Sequence, residues 1–337
     1  MDEFTSQKPF SERGSRLSGG DRADPRVLAT SDVFGEALAE QGSRMADLRV
    51  VGVGEGIHPV VDRFAEKCPD RYLCLDLQSD RAKQQVADMA RAGSIVFLVV
   101  GHSRAVAETW PFLRDEVCRK RLNIKLVAAC SGISAPEDHA SPEVVEDMAL
   151  MRVLPRMKVI VPADATETRR VLNWALETHA HAYIRLSTLP VRGVTRAMDH
   201  FEPGRAIVLN PGWDVALMAC GPLVSLALDT AEELELDQVS ARVLNFSTIK
   251  PIDRAAVVET SIDTRRMITL EEHQITGGLG SAVAEIIARE GCGGRICMMG
   301  LYDECLAHLS TKDLPRHYGL TVGRLVEIAK ELIAAVP

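Results

Sequence analysis

The chain has 337 residues, 46% hydrophobic and 26% charged, with a formal net charge of −8. That is ordinary globular composition, and the length predicts two domains, because single cores rarely grow beyond ~250–300 residues. The acidic balance argues against a nucleic-acid or membrane surface, and no stretch reaches the ~18–20 apolar residues of a membrane span, so the expected setting is the cytoplasm and the expected ligands are small molecules.

The first 27 residues, MDEFTSQKPFSERGSRLSGGDRADPRV, are polar and rich in Gly, Ser and Arg; without the apolar core of a secretion signal they are expected to form a disordered tail. From residue 28 the patterning predicts a first domain to about residue 190. Helical periodicity at 33–45 is followed by a strand at 48–53, a helix at 58–68, a strand at 72–77, a helix at 80–93 and a strand at 94–100. A long helix at 103–120 comes next, then a strand at 123–129, a helix at 142–154, a strand at 157–162, a helix at 164–178 and a strand at 182–186. Pro and Gly break the rhythm from 187, and 191–212 reads as a linker. Strands at 214–220, 240–246, 266–272 and 295–300 then alternate with helices to about 236, from 253, from 277 and at 321–335, which defines a second domain over 213–337. Buried runs separated by amphipathic helices predict an α/β protein of two doubly wound, mostly parallel-sheet domains.

Eight cysteines lie at irregular positions with no CxxC pair, and several, such as Cys74 and Cys220, sit inside apolar runs. Reduced, buried thiols are expected, and no spacing supports a zinc site. Gly52-x-Gly54-x-Gly56 follows a strand but lacks both the dinucleotide spacing and a downstream acidic residue, so a tight strand-to-helix turn is the expectation. Gly277-Gly278-Leu279-Gly280-Ser281 opens a helix and fits either an anion on free amides or close packing of helix on sheet, with packing favoured. Histidines 179, 181, 200 and 317 read as surface or structural. Cys130, Ser131 and Ser134 raise nucleophilic hydrolysis, but no placed base and no strained G-x-S-x-G elbow accompany them.

The strongest signal is distributed. GISAPEDHASPEVVEDMALMRVLPRMKVIVPADATET (132–168), AYIRL (182–186), NFSTIKPID (245–253) and LEEHQITGGLGSAVAEIIA (270–288) occur in that order. Together they resemble the C-terminal half of the transketolase family, its pyrimidine-binding domain followed by its C-terminal domain. The resemblance spans about residues 30–337. It implies thiamine diphosphate and Mg²⁺ as cofactors. It also implies that a separate N-terminal subunit carries the diphosphate-binding domain, which has no counterpart here, in an α2β2 heterotetramer with this chain as β.

Residue by residue, the resemblance also marks departures. The family's activating glutamate, which hydrogen-bonds the pyrimidine ring, falls without a gap on Ser79 in CPDRYLCLDLQSD. A serine hydroxyl can bond the ring but cannot act as a carboxylate acid/base, and Asp80, one residue out of register, is expected to point elsewhere. The stacking aromatic falls on Arg104, in Gly101-His102-Ser103-Arg104; the two family histidines fall on Cys130 and Pro142. The residues expected at the reaction centre are therefore Ser79, His102, Asp138 and His139. Ser79, Gly101, Arg104 and Glu108 are expected around the cofactor, with Glu108 or Glu137 as recruitable carboxylates, and Glu55 and Arg185 on the substrate. No metal ligand is expected from this chain.

Two functions follow from the resemblance. One is the β subunit of a split, thiamine-dependent transferase that moves a two-carbon ketol or acyl unit, with an acceptor other than an ordinary sugar phosphate. The other is a non-catalytic partner that scaffolds or regulates a catalytic subunit. Polar residues Lys83, Gln84 and Gln85 fit an altered subunit interface or a solvated face equally well.

Overall fold

A computed structural model describes residues 27–53, 59–77, 79–101, 103–133, 145–196, 199–304 and 313–335. In chain order the first part runs β1 (Val27–Ala29), α1 (Thr30–Gly42), β2 (Leu48–Val53), α2 (Pro59–Lys67), β3 (Tyr72–Leu75), α3 (Asp80–Arg91), β4 (Ile95–Val100) and α4 (Ser103–Phe112). It continues with β5 (Ile124–Ala128), α5 (Asp147–Arg152), β6 (Lys158–Ile160), α6 (Ala165–Glu177), β7 (Ala182–Arg185) and β8 (Pro190–Arg192). The second part comprises β9 (Ile207–Asn210), β10 (Val215–Ala219), α7 (Leu223–Leu236), β11 (Ala241–Asn245), β12 (Thr248–Lys250) and α8 (Arg254–Thr264). It closes with β13 (Arg266–Gln274), α9 (Leu279–Glu290), β14 (Arg295–Leu301), α10 (Leu314–His317) and α11 (Val322–Ala334).

Two main sheets result. The seven-stranded sheet has the order β12-β6-β7-β5-β4-β2-β3 and is parallel except for β12; the five-stranded sheet is β14-β13-β10-β11-β9, parallel except for β9. The apolar runs explain the layering. Phe97 and Val99 of β4 project into a core built with Phe34, Val60, Phe64 and Leu172, while Val96, Leu98 and Val100 project to the opposite face, among Val86, Val106 and Leu113. Alternation of Cβ directions along a strand buried on both faces requires this split. The second core is continuous with the second domain, because Met148, Met151, Val159 and Val161 pack with Met218, Leu244, Phe246 and Ile249.

Strand β12 stitches the halves together. Chain leaving β11 in the second sheet needs only Phe246 and Ser247 before it pairs with β6 of the first, Thr248 opposite Ile160. The Phe246 amide donates to the Ala219 carbonyl of the second sheet, and the Ser247 carbonyl accepts from Val161 of the first, both at 2.8 Å.

Differences from the sequence reading have local causes. The helix expected at 103–120 forms over those residues but with a π turn at Leu113–Cys118, just after Pro111, which lacks an amide donor. The break from residue 187 contains two short strands, β8, which pairs with β1, and β9, which edges the second sheet. Seven described cysteines are free; Cys68, Cys118, Cys130 and Cys220 are buried as expected, but Cys74 is exposed because β3 is an edge strand. The expected tail lies outside the described residues apart from Val27, which belongs to β1. Among the described residues no helix is long and apolar enough to cross a membrane.

Lys125 is fully buried in β5, donating to Asn123 Oδ1 and, at 3.0 Å, to the Thr178 carbonyl at the end of α6. Burial pulls its pKa from 10.5 down to about 7. Between those values the unfolded chain binds the proton that the folded chain has released, so this residue's penalty is full below pH 7 and fades as pH rises towards 10.5. Lys125→Met is therefore expected to stabilise the chain most at pH 6, by about 2 kcal/mol or more, and progressively less up to pH 9. Urea unfolding of both proteins at the two pH values checks this; an equal difference at both contradicts it.

Candidate functional site

The parallel strands of the first sheet end in a level row. Leu75 pairs with Val53, Val53 with Val100, Val100 with Ala128, and Ala128 with Arg185. From β2 the chain passes through α2 to β3 on one side; from β4 it passes through α4 to β5 on the other. A crevice outside the carboxyl ends, between β2 and β4, follows from that divergence, and in open α/β sheets this is where ligands bind. The second sheet has its own divergence between β10 and β13, but the first domain fills it. Gln274 donates to the Val145 carbonyl at 2.9 Å, and a Cβ on Gly221 would stand 2.9 Å from Val161 Cγ1.

Of the residues expected around the cofactor, Gly101, Ser79 and Glu108 are described. Gly101 follows β4 directly and is half-buried. Ser79 begins α3, with extended backbone (φ −73°, ψ 124°); its amide donates to Asp76 at 3.2 Å and its carbonyl accepts from Lys83 at 3.1 Å. Its hydroxyl does not cap the helix, and the residue is exposed. Asp80 turns away to meet Lys83 Nζ at 3.2 Å, as its register requires. Lys83 thus belongs to an intrahelical pair, Gln84 bonds Asp88, and this face of α3 is polar along the surface. Glu108 is exposed on α4. Glu55, His102, Glu137, Asp138, His139 and Pro142 lie outside the described residues, as does the side chain of Arg104.

Arg185, expected on the substrate, is only 4% exposed and is bonded into the scaffold. Its Nε and Nη2 donate to the two Asp147 oxygens at 2.8 and 3.3 Å, and Nη2 also donates to the Glu272 carbonyl at 2.8 Å. Tyr183 donates its hydroxyl to the same carboxylate. Burial alone would raise the Asp147 carboxyl, but the Arg185 guanidinium beside it outweighs that and holds it below the usual range.

Cys130 is buried beside Thr188, with Sγ 3.9 Å from Oγ1, and burial pushes its thiol up, which removes the thiolate a nucleophile needs. The Gly277–Gly280 turn does meet a carboxyl group, the protein's own: Glu271, which burial pushes up to about 8, accepts from the Leu279 and Gly280 amides at 2.7 and 2.9 Å. A Cβ on Gly278 would stand 1.7 Å from that carboxyl group, so packing and hydrogen bonding coincide. His181 bonds the Pro155 carbonyl and His317 pairs with Glu304, while His179 and His200 are exposed. Among the described residues no group of three or more His, Cys, Asp or Glu side chains could hold a metal ion.

Sequence reasoning named the motifs of a second network without its roles. Glu167 of α6 accepts from Ala163 at 2.7 Å and from Asn245 Nδ2 at 2.9 and 3.1 Å, and its burial pushes it up to about 7. His273 Nδ1 lies 2.6 Å from its neighbour's carbonyl, Gln274 O, which fixes the proton on that nitrogen; Nε2 then accepts the Ala149 amide at 3.3 Å. Burial holds His273 down at about 4, so the imidazole is neutral and the bond to α5 persists. The available signal was charge inside otherwise apolar runs, as in LEEHQ and EDMALM.

Two doubly wound domains that carry the quoted motifs in this order define the class, and comparison with known proteins assigns it. The model of the transketolase pyrimidine-binding domain matches residues 79–192, and that of the transketolase C-terminal domain matches 204–325. The chain belongs to the transketolase family. It is 32% identical over 289 residues to a Methanocaldococcus jannaschii chain whose description reads as a transketolase C-terminal section, covering 85% of this chain and 90% of that one. It is 30% identical to a 6-deoxy-6-sulfo-D-fructose transketolase subunit of Clostridium sp. strain MSTE9, covering 89% and 93%. Against one-chain relatives such as the 1-deoxy-D-xylulose-5-phosphate synthase of Heliobacterium modesticaldum, 29% identical, it spans about half the length, 47%. A solved split-gene transketolase, described as an inactive β4 tetramer, superposes with a TM-score of 0.81 at 32% identity, covering 91% of this chain and 98% of that one.

Proposed function

We propose that this chain is the β component of a split transketolase-like transferase. It joins a separate subunit that carries the diphosphate-binding domain, as α2β2, and the assembly moves a two-carbon unit between small molecules. The observation that carries this reading is end-to-end coverage: the chain and the sulfofructose transketolase subunit match over 89% and 93% of their lengths, while one-chain relatives are matched over about half.

Ser79 offers a hydroxyl not used in capping its helix, and Gly101 directly follows β4 at the carboxyl end of the sheet. Thiamine diphosphate, when bound with Mg²⁺ on the partner's side, supplies the carbanion chemistry for cleaving and forming the carbon–carbon bond. The part of this chain is to bind and orient. Ser79 can donate one hydrogen bond to a ring nitrogen and cannot exchange a proton at neutral pH, so acid/base assistance falls to another group, with Glu108 on α4 the described candidate. The rewritten histidine positions support an acceptor other than an ordinary sugar phosphate. The second reading, a non-catalytic subunit that scaffolds a catalytic one, is favoured by Ser79 itself.

The test is to purify the chain with its diphosphate-domain partner and titrate the complex with thiamine diphosphate and Mg²⁺. Saturable binding by the complex but not by either chain alone, with ketose cleavage, is the expected outcome. A complex that binds no cofactor and cleaves no ketose overturns the proposal. Within it, Ser79→Glu is expected to raise turnover by roughly 10²-fold or more, because a positioned acid/base contributes 10²–10⁴-fold. No change in cofactor affinity or rate would mean that the slot faces no cofactor, and the scaffold reading would replace this one.

A further inference from the structure

Helix α5 has six residues, too few to be held by its own hydrogen bonds, so its position is set by what grips it. At its start, Asp147 is gripped by Arg185 and Tyr183, the Ala149 amide by His273, and the Val145 carbonyl by Gln274. At its end, Arg152 Nη1 donates to the Gly277 and Gly278 carbonyls at 2.7 and 3.2 Å, and Lys250 Nζ to the Arg152 and Leu154 carbonyls at 2.6 and 2.5 Å. Except for Arg185 and Tyr183, these gripping groups come from the second domain.

Arg185 joins three pieces. Its fork closes on Asp147 of α5, its Nη2 reaches the Glu272 carbonyl of β13, and its Nη1 lies behind Gly132, the fourth residue after β5. Gly132 has φ +86°, and a Cβ there would stand 2.6 Å from Glu272 Oε2 and 3.4 Å from Arg185 Nη1. The exit of β5, next to the crevice, is thus seated directly on β13 and Arg185. Nε and Nη2 of Arg185 are committed to Asp147, a carboxylate with no solvent exposure, so the guanidinium is pinned in place: withdrawing it would leave that carboxylate without its cation.

We propose that Arg185 is a positioning residue: with Asp147 and Glu272 it forms the clasp through which the second domain seats Gly132 and the β5 exit at the crevice. This replaces the substrate contact expected for Arg185, and its kinetic part rests on the transferase reading above.

A test independent of turnover is built in. Trp110 Nε1 on α4 donates to the Leu150 carbonyl of α5 at 2.9 Å, so indole emission reports the placement of α5 in the full-length chain alone. In a Trp174→Phe, Trp213→Phe background, Arg185→Gln and Asp147→Asn are each expected to shift Trp110 emission to the red. Arg185→Lys, which keeps charge but not the fork, should shift it less, and the Arg185→Gln/Asp147→Asn double variant no further than either single. Gly132→Ala, which leaves the ion pair in place, should leave Trp110 emission unchanged. In the assembled enzyme, Arg185→Gln, Asp147→Asn and Gly132→Ala should each lower kcat by roughly 10²-fold with KM nearly unchanged, as misplacement by about 1 Å does. Arg185→Gln raising KM tenfold or more with Asp147→Asn silent, or additive emission shifts, overturns the proposal. Wild-type complex without turnover would count against the transferase reading, while the emission series still decides the clasp.

Discussion

Asp164→Ala is expected to lower the melting temperature of the chain by about 10 °C. This residue caps α6, accepting from the Glu167 amide at 2.8 Å. Its carboxylate also accepts the Val194 and Thr195 amides, both at 2.6 Å, and the Thr195 hydroxyl at 2.8 and 2.9 Å. It is fully buried, so alanine would leave three amides and a hydroxyl without this acceptor where water cannot replace it. A lost cap costs ~1 kcal/mol, and each buried donor deprived of a charged acceptor ~1–3; allowing for non-additivity, about 4 kcal/mol is expected. At ~2–4 °C per kcal/mol for large domains, that gives the shift stated. Asp164→Asn, which keeps one oxygen acceptor but no charge, should fall between. Calorimetric scans of the three proteins check the order; a shift under 2 °C for alanine would show that the segment after β8 finds other acceptors.

A chain ending at residue 203 is expected not to fold to a fixed structure. Removing the second domain takes β12 from the edge of the first sheet and exposes Met148, Met151, Val159 and Val161, which pack against Met218, Leu244, Phe246 and Ile249. Each large apolar side chain returned to water costs ~1.5–3 kcal/mol, so four of them match the ~5–15 kcal/mol that holds a domain. The truncated chain should bind an apolar dye, lose near-ultraviolet dichroism and aggregate on gel filtration. A soluble, cooperatively melting monomer would show the first domain to be self-sufficient.

How much of this was legible beforehand depended on the kind of signal. Long strands such as 48–53 and 94–100 were readable to within a residue because both faces are apolar. Strands β8, β9 and β12 were not, since three or four residues carry too little periodicity and their partners lie far away in sequence. Ser79 could be placed at a strand end by register with the family pattern, and it lies between β3, the edge strand next to β2, and the start of α3. The Asp147 partner of Arg185 was not legible for a physical reason: an arginine that ends a buried strand looks the same in sequence whether its fork faces a ligand or an aspartate 38 residues earlier. Only three-dimensional pairing distinguishes the two. Glu271 and Glu167 sat inside the family motifs without a role of their own, and both hold backbone amides within the scaffold.

The crossing at Phe246 and Ser247 bears on motion. Two domains joined by a linker alone can swing like a clamshell, and many enzymes open and shut their sites that way. Here one extended segment is hydrogen-bonded to both sheets within two residues, so it offers no pivot about which the halves could turn. Entry to the crevice is therefore not timed by hinge bending within this chain.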